Sequence, residues 1–289
     1  MTPGFAFVAE PLDRADEWRA DAAKLDALRA TSHCLLLDAR GQVAVDGDGR
    51  LRADIGAPVD AVFLGRHGDD AWFAASRDTP FGDDDARIDL RSAALQWPAF
   101  DSTLFAQARA VLHWRGTHRF CPNCGHALMF SRGGWQGDCG HCGRVEYPRT
   151  DPAVIVAVSD GERLLLGRQA SWPARRYSTL AGFVEPGESL EAAIAREVWE
   201  ESRVRVHRSR YLASQPWPFP GSLMLGFIAD AEGEVPQTAQ DELEDARWFT
   251  RADVEAALAE DREDAPLRVS PPLSISRWLI ECWVAGERA

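Results

Sequence analysis

The sequence predicts an α/β protein: a C-terminal α/β/α sandwich with a mixed sheet, preceded by a small cysteine-rich module and an N-terminal mixed α/β domain. Three observations support this prediction. Strand-like runs alternate with helical stretches from residue 147 onward, four cysteines cluster in mid-chain, and mixed helical and strand-like segments precede them. The predicted boundaries are 1–118, 119–146 and 147–289. A chain of 289 residues is long enough for two domains and a small module.

The N-terminal region is predicted to contain a helix over about residues 15–30 and another over about residues 103–114. Strands are expected at Cys34–Leu37, Gln42–Val45 and Ala61–Leu64, with a hairpin turn at Asp69-Asp70 before Ala71–Ala74. No combination of residues in this region is typical of a catalytic site, so the sequence assigns it no chemistry.

Charge and composition exclude several classes of function. The chain carries 45 acidic and 32 basic side chains, and its net charge of −13 opposes general nucleic-acid binding. Lys24 is its one lysine, so a Gly-Lys-Ser/Thr phosphate loop cannot exist and a P-loop ATPase is excluded. No apolar run is long enough to span a membrane, and residues 1–10 lack the pattern of a targeting signal. We therefore expect a cytoplasmic protein.

Four of the six cysteines form two Cys-x2-Cys pairs: Cys121, Cys124, Cys139 and Cys142. A glycine follows the second cysteine of each pair and permits the tight turn that a thiolate knuckle needs. In a cytoplasmic chain this spacing predicts tetrahedral zinc rather than disulfides. Four thiolates leave no open position for water, so the zinc is expected to be structural. Cys34 and Cys282 stand alone and are expected to be packing residues.

Five arginines lie between Arg115 and Arg149, against only Asp138 and Glu146. On an acidic protein this is the one region where a polyanion could dock. The alternative is that these arginines pair with neighbouring domains.

The predicted elements after residue 147 fit a sheet between layers of helices. Strands are expected at Ala153–Val158, Arg163–Gly167, Ser178–Val184, Arg210–Ser214, Leu223–Ala229 and Ala246–Phe249, with an Asp160-Gly161 turn between the first two. Ser189 is the expected N-cap of a helix that follows the loop after Gly182. Two further helices are predicted, one after Thr250 and one over about residues 274–285.

The helix after Ser189 carries three glutamates within five residues. At about 100° per residue from Leu190, Glu197 and Glu201 fall at roughly 340° and 20°, inside the apolar stripe, and Glu200 falls at its border near 280°. A run of glutamates is normally a solvated helix face, but this phase argues against that interpretation. Buried carboxylates need a positive partner, so the pattern predicts a divalent cation with oxygen ligands, Mg²⁺ or Mn²⁺.

Gly182, Glu188 and the run Arg196-Glu197-Val198-x-Glu200-Glu201 together resemble the Nudix hydrolase signature, G-x5-E-x7-R-E-U-x-E-E-x-G-U, where U is aliphatic. One fixed position departs from it, because Arg203 stands where the signature has glycine. That glycine is expected to end the helix in a left-handed turn. An arginine there implies modest strain or a reshaped turn.

A second motif resembles the NADH pyrophosphatase branch of the Nudix family. Its S-Q-P-W-P-F-P-x-S array is matched by Ser214, Gln215, Pro216, Trp217, Pro218, Phe219, Pro220, Gly221 and Ser222. The cysteine pairs followed by Tyr147-Pro148-Arg149 also resemble that branch. Alone, the alternating prolines would predict a stiff linker or a recognition segment. Close after the glutamate helix, a substrate-binding wall is the better interpretation.

This resemblance implies a homodimeric, metal-dependent enzyme that splits the pyrophosphate of NADH or NAD⁺ into nicotinamide mononucleotide and AMP, and that also removes NAD caps from RNA. It implies that Mg²⁺ or Mn²⁺ is bound by Glu197, Glu201, Glu242 and the main-chain carbonyl of Ala181. Glu200 is implied as a further ligand or as the base that activates water. Arg196 and Glu188 would then hold the carboxylates in place.

The resemblance also implies substrate contacts. Tyr147 and Phe183 would stack on a base of the substrate from opposite subunits, and residues 215–222 and Ser276 would contact the dinucleotide. Without the resemblance, Phe183 would be expected in a core, and Tyr147 would be expected at an interface or as a packing residue. Two other functions stay open: a Nudix hydrolase for another nucleoside diphosphate such as ADP-ribose, and an inactive zinc-ribbon protein that binds nucleic acid.

Overall fold

The structure is a computed structural model that describes residues 4–9, 12–77, 86–238, 242–260 and 264–289. The described residues form two compact units. One unit contains residues 7–150 and 217–221, and the other contains residues 4–6, 151–216 and 222–289. The four-cysteine module thus belongs to the same unit as the N-terminal region. The boundaries at residues 118 and 146 stay a prediction.

A six-stranded sheet organises the N-terminal unit, in the order β4-β5-β1-β2-β6, with β3 paired to β1. Strand β1 runs parallel to β5. The elements are α1 (Asp16–Arg19), α2 (Ala22–Arg29), β1 (His33–Leu37), β2 (Val43–Ala44), β3 (Asp54–Ile55), β4 (Val62–His67), β5 (Asp70–Ser76), β6 (Arg87–Ile88), α3 (Leu90–Gln96) and α4 (Ala99–Thr117). The cysteine module adds a three-stranded sheet of β7 (Met129–Ser131), β8 (Gln136–Asp138) and β9 (Val145–Glu146).

The helical stretch predicted over residues 15–30 is present, and it is divided into two short helices. Asp21 caps the second helix, and its side chain accepts a hydrogen bond from the Lys24 backbone N–H at 3.0 Å. A capping side chain satisfies one of the unpaired N–H groups of a new helix, so it stabilises a break at that point. The predicted β4–β5 hairpin is confirmed.

The C-terminal unit is built on a mixed six-stranded sheet, in the order β13-β14-β10-β11-β15, with β12 paired to β10. Strands β10 and β14 are parallel, whereas β11 and β12 are antiparallel to β10. The elements are β10 (Asp151–Ser159), β11 (Arg163–Arg168), β12 (Leu180–Phe183), α5 (Leu190–Ser202), β13 (Val206–Trp217), β14 (Ser222–Ala231), β15 (Asp245–Thr250), α6 (Arg251–Ala259) and α7 (Ile275–Val284).

Helices cover both faces of this sheet, and alternate residues of β10 separate the two cores. Ile155 packs in one core with Leu279 and Trp283 of α7. Val156 packs in the other core with Ile194 and other residues of α5. The predicted α/β/α sandwich with a mixed sheet is therefore confirmed. Cys34 and Cys282 are both buried, as predicted for packing residues. None of the described helices combines the length and apolar character needed to cross a bilayer.

Arg203 ends α5 in the left-handed conformation, with φ of 60° and ψ of 19°. Arg203 therefore adopts the left-handed turn that was expected of the glycine in the signature. The Arg203 guanidinium lies 5.5 Å from the centre of the Trp199 ring, a contact that offsets part of the strain. A left-handed conformation costs a non-glycine residue about 1–2 kcal/mol.

Arg203→Gly is expected to raise the free energy of unfolding by about 1 kcal/mol, because glycine adopts this conformation without a Cβ clash. Chemical denaturation of the purified protein measures the change. Arg203→Ala is the matched control, since it removes the same side-chain contacts but keeps the Cβ. A glycine variant no more stable than the alanine variant would contradict the strain at this position.

Candidate active site

Helix α5 positions the glutamates. Ser189 caps it, and the Ser189 hydroxyl accepts a hydrogen bond from the Ala192 backbone N–H at 3.2 Å. The Glu201 residue is 8% exposed, and the Glu197 and Glu200 side chains are 13% and 51% exposed. The helical phase predicted from the sequence is therefore confirmed: two carboxylates point inward and Glu200 lies at the border.

Arg196 connects three of the signature carboxylates. Its Nε and Nη2 donate to the two oxygens of Glu188, each at 2.9 Å, in a bidentate pair. Its Nη1 donates to Glu197 at 2.9 Å and to Glu200 at 3.0 Å, and Nη2 also reaches the Phe183 carbonyl at 2.9 Å. This arginine lowers the pKa of Glu188, whose carboxylate also accepts a backbone N–H from Glu185. One guanidinium thus fixes the loop to the helix.

Gly182 lies on β12 directly against the Glu197 carboxylate. A Cβ at this position would fall far inside van der Waals contact of all three carboxylate atoms of Glu197. The signature glycine is therefore required by the close approach of strand β12 to helix α5.

Glu201 is the carboxyl group of the cluster whose ionised form is disfavoured most strongly. Burial, with repulsion from Glu197 and Glu242, raises its pKa to about 8. A backbone hydrogen bond from Ala181 opposes this shift only in part. Its Oε2 is buried and has no hydrogen-bond partner. Burial is also the main cause that raises the pKa of Glu197, and Glu200 and Glu242 add repulsion.

These features fit a divalent cation. Carboxylate oxygens are the ligands that Mg²⁺ and Mn²⁺ prefer, and a buried carboxylate oxygen without a partner needs positive charge. Glu197 and Glu242 both repel the Glu201 carboxylate, and the backbone of Ala181 forms a hydrogen bond with it. Glu188 forms a bidentate pair with Arg196 at the end of the glycine loop.

The four paired cysteines converge in the N-terminal unit. Their Sγ atoms all lie within 4.8 Å of one another, with separations of 3.4 Å for Cys124–Cys139, 3.5 Å for Cys124–Cys142 and 3.6 Å for Cys121–Cys142. A tetrahedron with Zn–S bonds of about 2.3 Å has S–S edges of about 3.8 Å. The donor set therefore fits a zinc ion that closes the site with four thiolates.

Gln215 is fully buried in the C-terminal unit, and internal hydrogen bonds use both ends of its amide. Its Nε2 donates to the carbonyls of Ala6 at 2.9 Å and Leu273 at 2.7 Å. Its Oε1 accepts the Ile275 backbone N–H at 2.8 Å. The side chain thus anchors the start of the proline-rich segment to the N-terminus of α7.

Ser276 is also buried, at 1% exposure. Its hydroxyl accepts from the Thr179 hydroxyl at 2.9 Å and from the Thr179 backbone N–H at 3.2 Å, and it lies 2.8 Å from the Ser178 hydroxyl. These contacts join α7 to the segment that leads into β12. The sequence did not predict this polar cluster, because its members are about one hundred residues apart in the chain.

Residues 217–221 pack within the N-terminal unit. The rings of Trp217 and Phe219 lie 5.1 Å apart at 65°. The Arg91 guanidinium is 4.0 Å from the Phe219 ring centre and 5.2 Å from that of Trp217. Arg109 donates to the Pro218 carbonyl and lies 5.1 Å from the Phe219 ring. No sequence motif marks these two arginines, so only the fold could identify them.

The two predicted stacking residues are both exposed on their own units. Phe183 is 59% exposed at the end of β12, and Tyr147 is 61% exposed just after β9. Neither ring packs into a core of its unit, which is the alternative that the residue type alone would favour.

This fold and site define the class of the protein. Three family models match the chain: a NUDIX domain at residues 149–268, an NADH pyrophosphatase zinc ribbon domain at 117–147, and an NADH pyrophosphatase-like rudimentary NUDIX domain at 27–114. The chain belongs to the Nudix hydrolase family, as the signature predicted.

Comparison with individual proteins shows which members of the Nudix family this chain resembles. The chain is 40% identical to the NAD-capped RNA hydrolase NudC of Mycobacterium bovis over 294 residues, which cover 95% of this chain and 93% of that protein. Identity and coverage are the same for the NAD-capped RNA hydrolase NudC of Mycobacterium tuberculosis. The chain is 43% identical to the NAD-capped RNA hydrolase NUDT12 of Homo sapiens over 202 residues, which cover 66% of this chain and 44% of that protein.

Glu201→Gln is expected to stabilise the metal-free protein at high pH. The folded-state pKa of about 8 lies above the ordinary value of 4.5, so the folded state binds more protons between these values. Wild-type stability should therefore fall as pH rises through this window, and the neutral amide should abolish that component of the fall. Thermal denaturation with a chelator at pH 5 and pH 8.5 tests this.

Glu191→Gln is the matched control, because Glu191 lies exposed in the first turn of the same helix. It should leave the pH dependence unchanged. Equal pH dependence in the wild type and the Glu201 variant would show that the folded protein does not disfavour the ionised form of Glu201.

Proposed function

We propose that this protein hydrolyses the pyrophosphate bond of NADH or NAD⁺ to nicotinamide mononucleotide and AMP, and that it removes NAD caps from RNA 5′ ends. The observation that carries this proposal is the carboxylate cluster of α5, with the unpartnered buried oxygen of Glu201. The similarity to the NAD-capped RNA hydrolases NudC supports the choice of substrate. The Nudix signature and the proline-rich array support the reaction type.

Glu197, Glu201 and Glu242, with the main-chain carbonyl of Ala181, would hold the catalytic Mg²⁺ or Mn²⁺. A divalent cation supplies neutralisation of the diphosphate charge and lowers the pKa of water at the site. No covalent nucleophile is needed for this chemistry.

The protein's own groups orient the reaction and move the proton. Glu200 is half exposed and is held by Arg196 at 3.0 Å, so water can reach its carboxylate. We assign it the role of proton acceptor or further ligand. Arg196 and Glu188 are positioning residues, because their bidentate pair locks the loop after Gly182 to the helix.

Substrate binding is assigned to exposed aromatic groups and to the proline-rich segment. Phe183 and Tyr147 would each stack on a base, and loss of one stacking partner should cost about 1–3 kcal/mol of binding. Residues 216–222 would contact the dinucleotide. We propose that Gln215 and Ser276 hold the surrounding segments in place and do not bond the substrate themselves, because their polar atoms already have partners inside the protein.

The remaining proposals concern organisation. Zinc held by the four cysteines would be structural. A cytoplasmic location is proposed because the cysteine pairs are assigned to zinc rather than to disulfides. A homodimer would let the two exposed rings act from opposite subunits.

Domains at 1–118, 119–146 and 147–289 are proposed. The order of the three matched family models along the chain supports this division.

The test is product analysis with Mg²⁺ or Mn²⁺. The purified protein should release AMP from NADH, and it should release nicotinamide mononucleotide from NAD-capped RNA to leave a 5′-monophosphate. Glu197→Gln should lower kcat by about 100-fold or more, beyond the 10–100-fold typical of losing an outer-shell partner. The matched control, Glu191→Gln, should keep full activity.

Two outcomes would redirect the assignment. Faster hydrolysis of ADP-ribose than of NADH and of capped RNA would indicate another nucleoside diphosphate as substrate. Tight, salt-sensitive RNA binding with no hydrolysis of any of the three would indicate an inactive binding protein.

A further inference from the structure

A cleft of about 440 Å³ opens beside Tyr147 in the N-terminal unit. Arg19 of α1, Arg132 of the turn after β7, and Trp135 line it. Asp16 is the one acidic side chain among the described residues that line this cleft. The Nudix signature and the proline-rich array include none of these residues.

Two guanidinium groups lie near the Trp135 ring, and a third, that of Arg132, lines the same cleft. The Arg19 guanidinium lies 4.2 Å from the ring centre, and that of Arg14 lies 5.9 Å from it. Arg132 Nη2 donates to the Asp16 carboxylate at 2.9 Å and 3.1 Å. The Asp16 carboxylate therefore faces two arginines of the cleft, Arg19 at 3.7 Å and Arg132 at 2.9 Å, on a chain whose net charge is −13.

The positive charge in this cleft is incompletely compensated. Arg19 Nε is buried and has no hydrogen-bond partner, and the nearest contact to Asp16, from Nη1, is 3.7 Å. The Arg19 side chain is 12% exposed. Burial lowers the pKa of Arg19, Asp16 opposes this, and the neighbouring Arg14 and Arg132 lower it further. An anion in the cleft would relieve this repulsion between the arginines.

Arg132 occupies the left-handed region, with φ of 48°, and two glycines with positive φ follow it. This turn packs against the domain, because Trp135 Nε1 donates to the Phe63 carbonyl at 2.6 Å. The arginine is thus held at the cleft by a strained but well-anchored backbone.

The chemistry of this cleft suits a nucleic-acid backbone. Single-stranded RNA binds where guanidinium groups meet phosphates and aromatic rings offer stacking surfaces. Tyr147 provides an exposed ring beside the arginines. We propose that this cleft binds the phosphodiester backbone of the RNA chain that carries the NAD cap. This inference rests on the proposed function, and it assigns contacts with the RNA phosphates to Arg19 and Arg132.

A purely structural role is the competing explanation, since the Arg132–Asp16 pair also joins the turn to α1. Another possible anion is the dinucleotide's own diphosphate. NADH and NAD-capped RNA share that diphosphate, whereas only the RNA has further phosphates. Comparing the two substrates therefore separates the two sources of phosphate.

The experiment measures kcat and KM on NADH and on a short, unstructured NAD-capped RNA with the full-length protein. Arg19→Gln/Arg132→Gln should raise KM for capped RNA about 3- to 10-fold and leave the NADH constants within about twofold. The slope of log KM against log salt should fall by about 1 for each lost contact. Asp16→Asn should lower KM for capped RNA, because it removes the competing carboxylate.

Two control variants exclude loss of folding. Arg66→Gln breaks the 2.8 Å ion pair with Asp13 in the same unit but outside the cleft, and it should not change KM for RNA. Arg132→Lys keeps the charge and should recover part of the affinity that Arg132→Gln loses.

Equal changes in KM for NADH and capped RNA would overturn the proposal, as would unchanged KM for RNA in the double variant. If the wild type hydrolyses neither substrate, the proposed function fails by itself. Fluorescence anisotropy with a 5′-monophosphorylated RNA then still tests the cleft: the double variant should bind several-fold more weakly than wild type, and equal binding would refute the site.

Discussion

The site depends on one constraint: several carboxylates must lie close together in a partly buried place before any cation binds. Like charges at short range repel, and burial strengthens that repulsion. Arg196 offsets part of it by bonding Glu188, Glu197 and Glu200 at once. Glu201 has only the backbone of Ala181 to oppose the repulsion, so its pKa is raised and one of its oxygens has no partner. A bound cation would neutralise this remaining negative charge, and the repulsion that it relieves would favour metal binding.

The sheet of the C-terminal unit brings these groups together. Ala153 of β10 pairs with Phe183 of β12 on one side and with Met224 of β14 on the other. The glycine loop and the start of β14, where the proline-rich segment ends, therefore lie at the same end of the sheet. Gln215 fastens the beginning of that segment internally. In the N-terminal unit, Arg91 and Arg109 contact its aromatic tip.

Local patterns predicted much of this from the sequence. The phase of α5 predicted which glutamates are buried, Ser189 was the predicted cap, and the cysteine spacing predicted a convergent cluster. Contacts between distant residues could not be predicted. Nothing near Gln215 in sequence shows that the carbonyls of Ala6 and Leu273 will bond its amide. Likewise, Arg19 and Arg132 are more than a hundred residues apart and meet only in the fold.

The most direct test of the central claim is Mn²⁺ binding, measured by electron paramagnetic resonance, in the wild type and in Gly182→Ala. A methyl group at residue 182 would occupy the space of the Glu197 carboxylate without removing any ligand. The account predicts that the variant stays folded and loses its tight Mn²⁺ binding. Unchanged Mn²⁺ affinity in a folded Gly182→Ala protein would contradict the assignment of Glu197 to the metal.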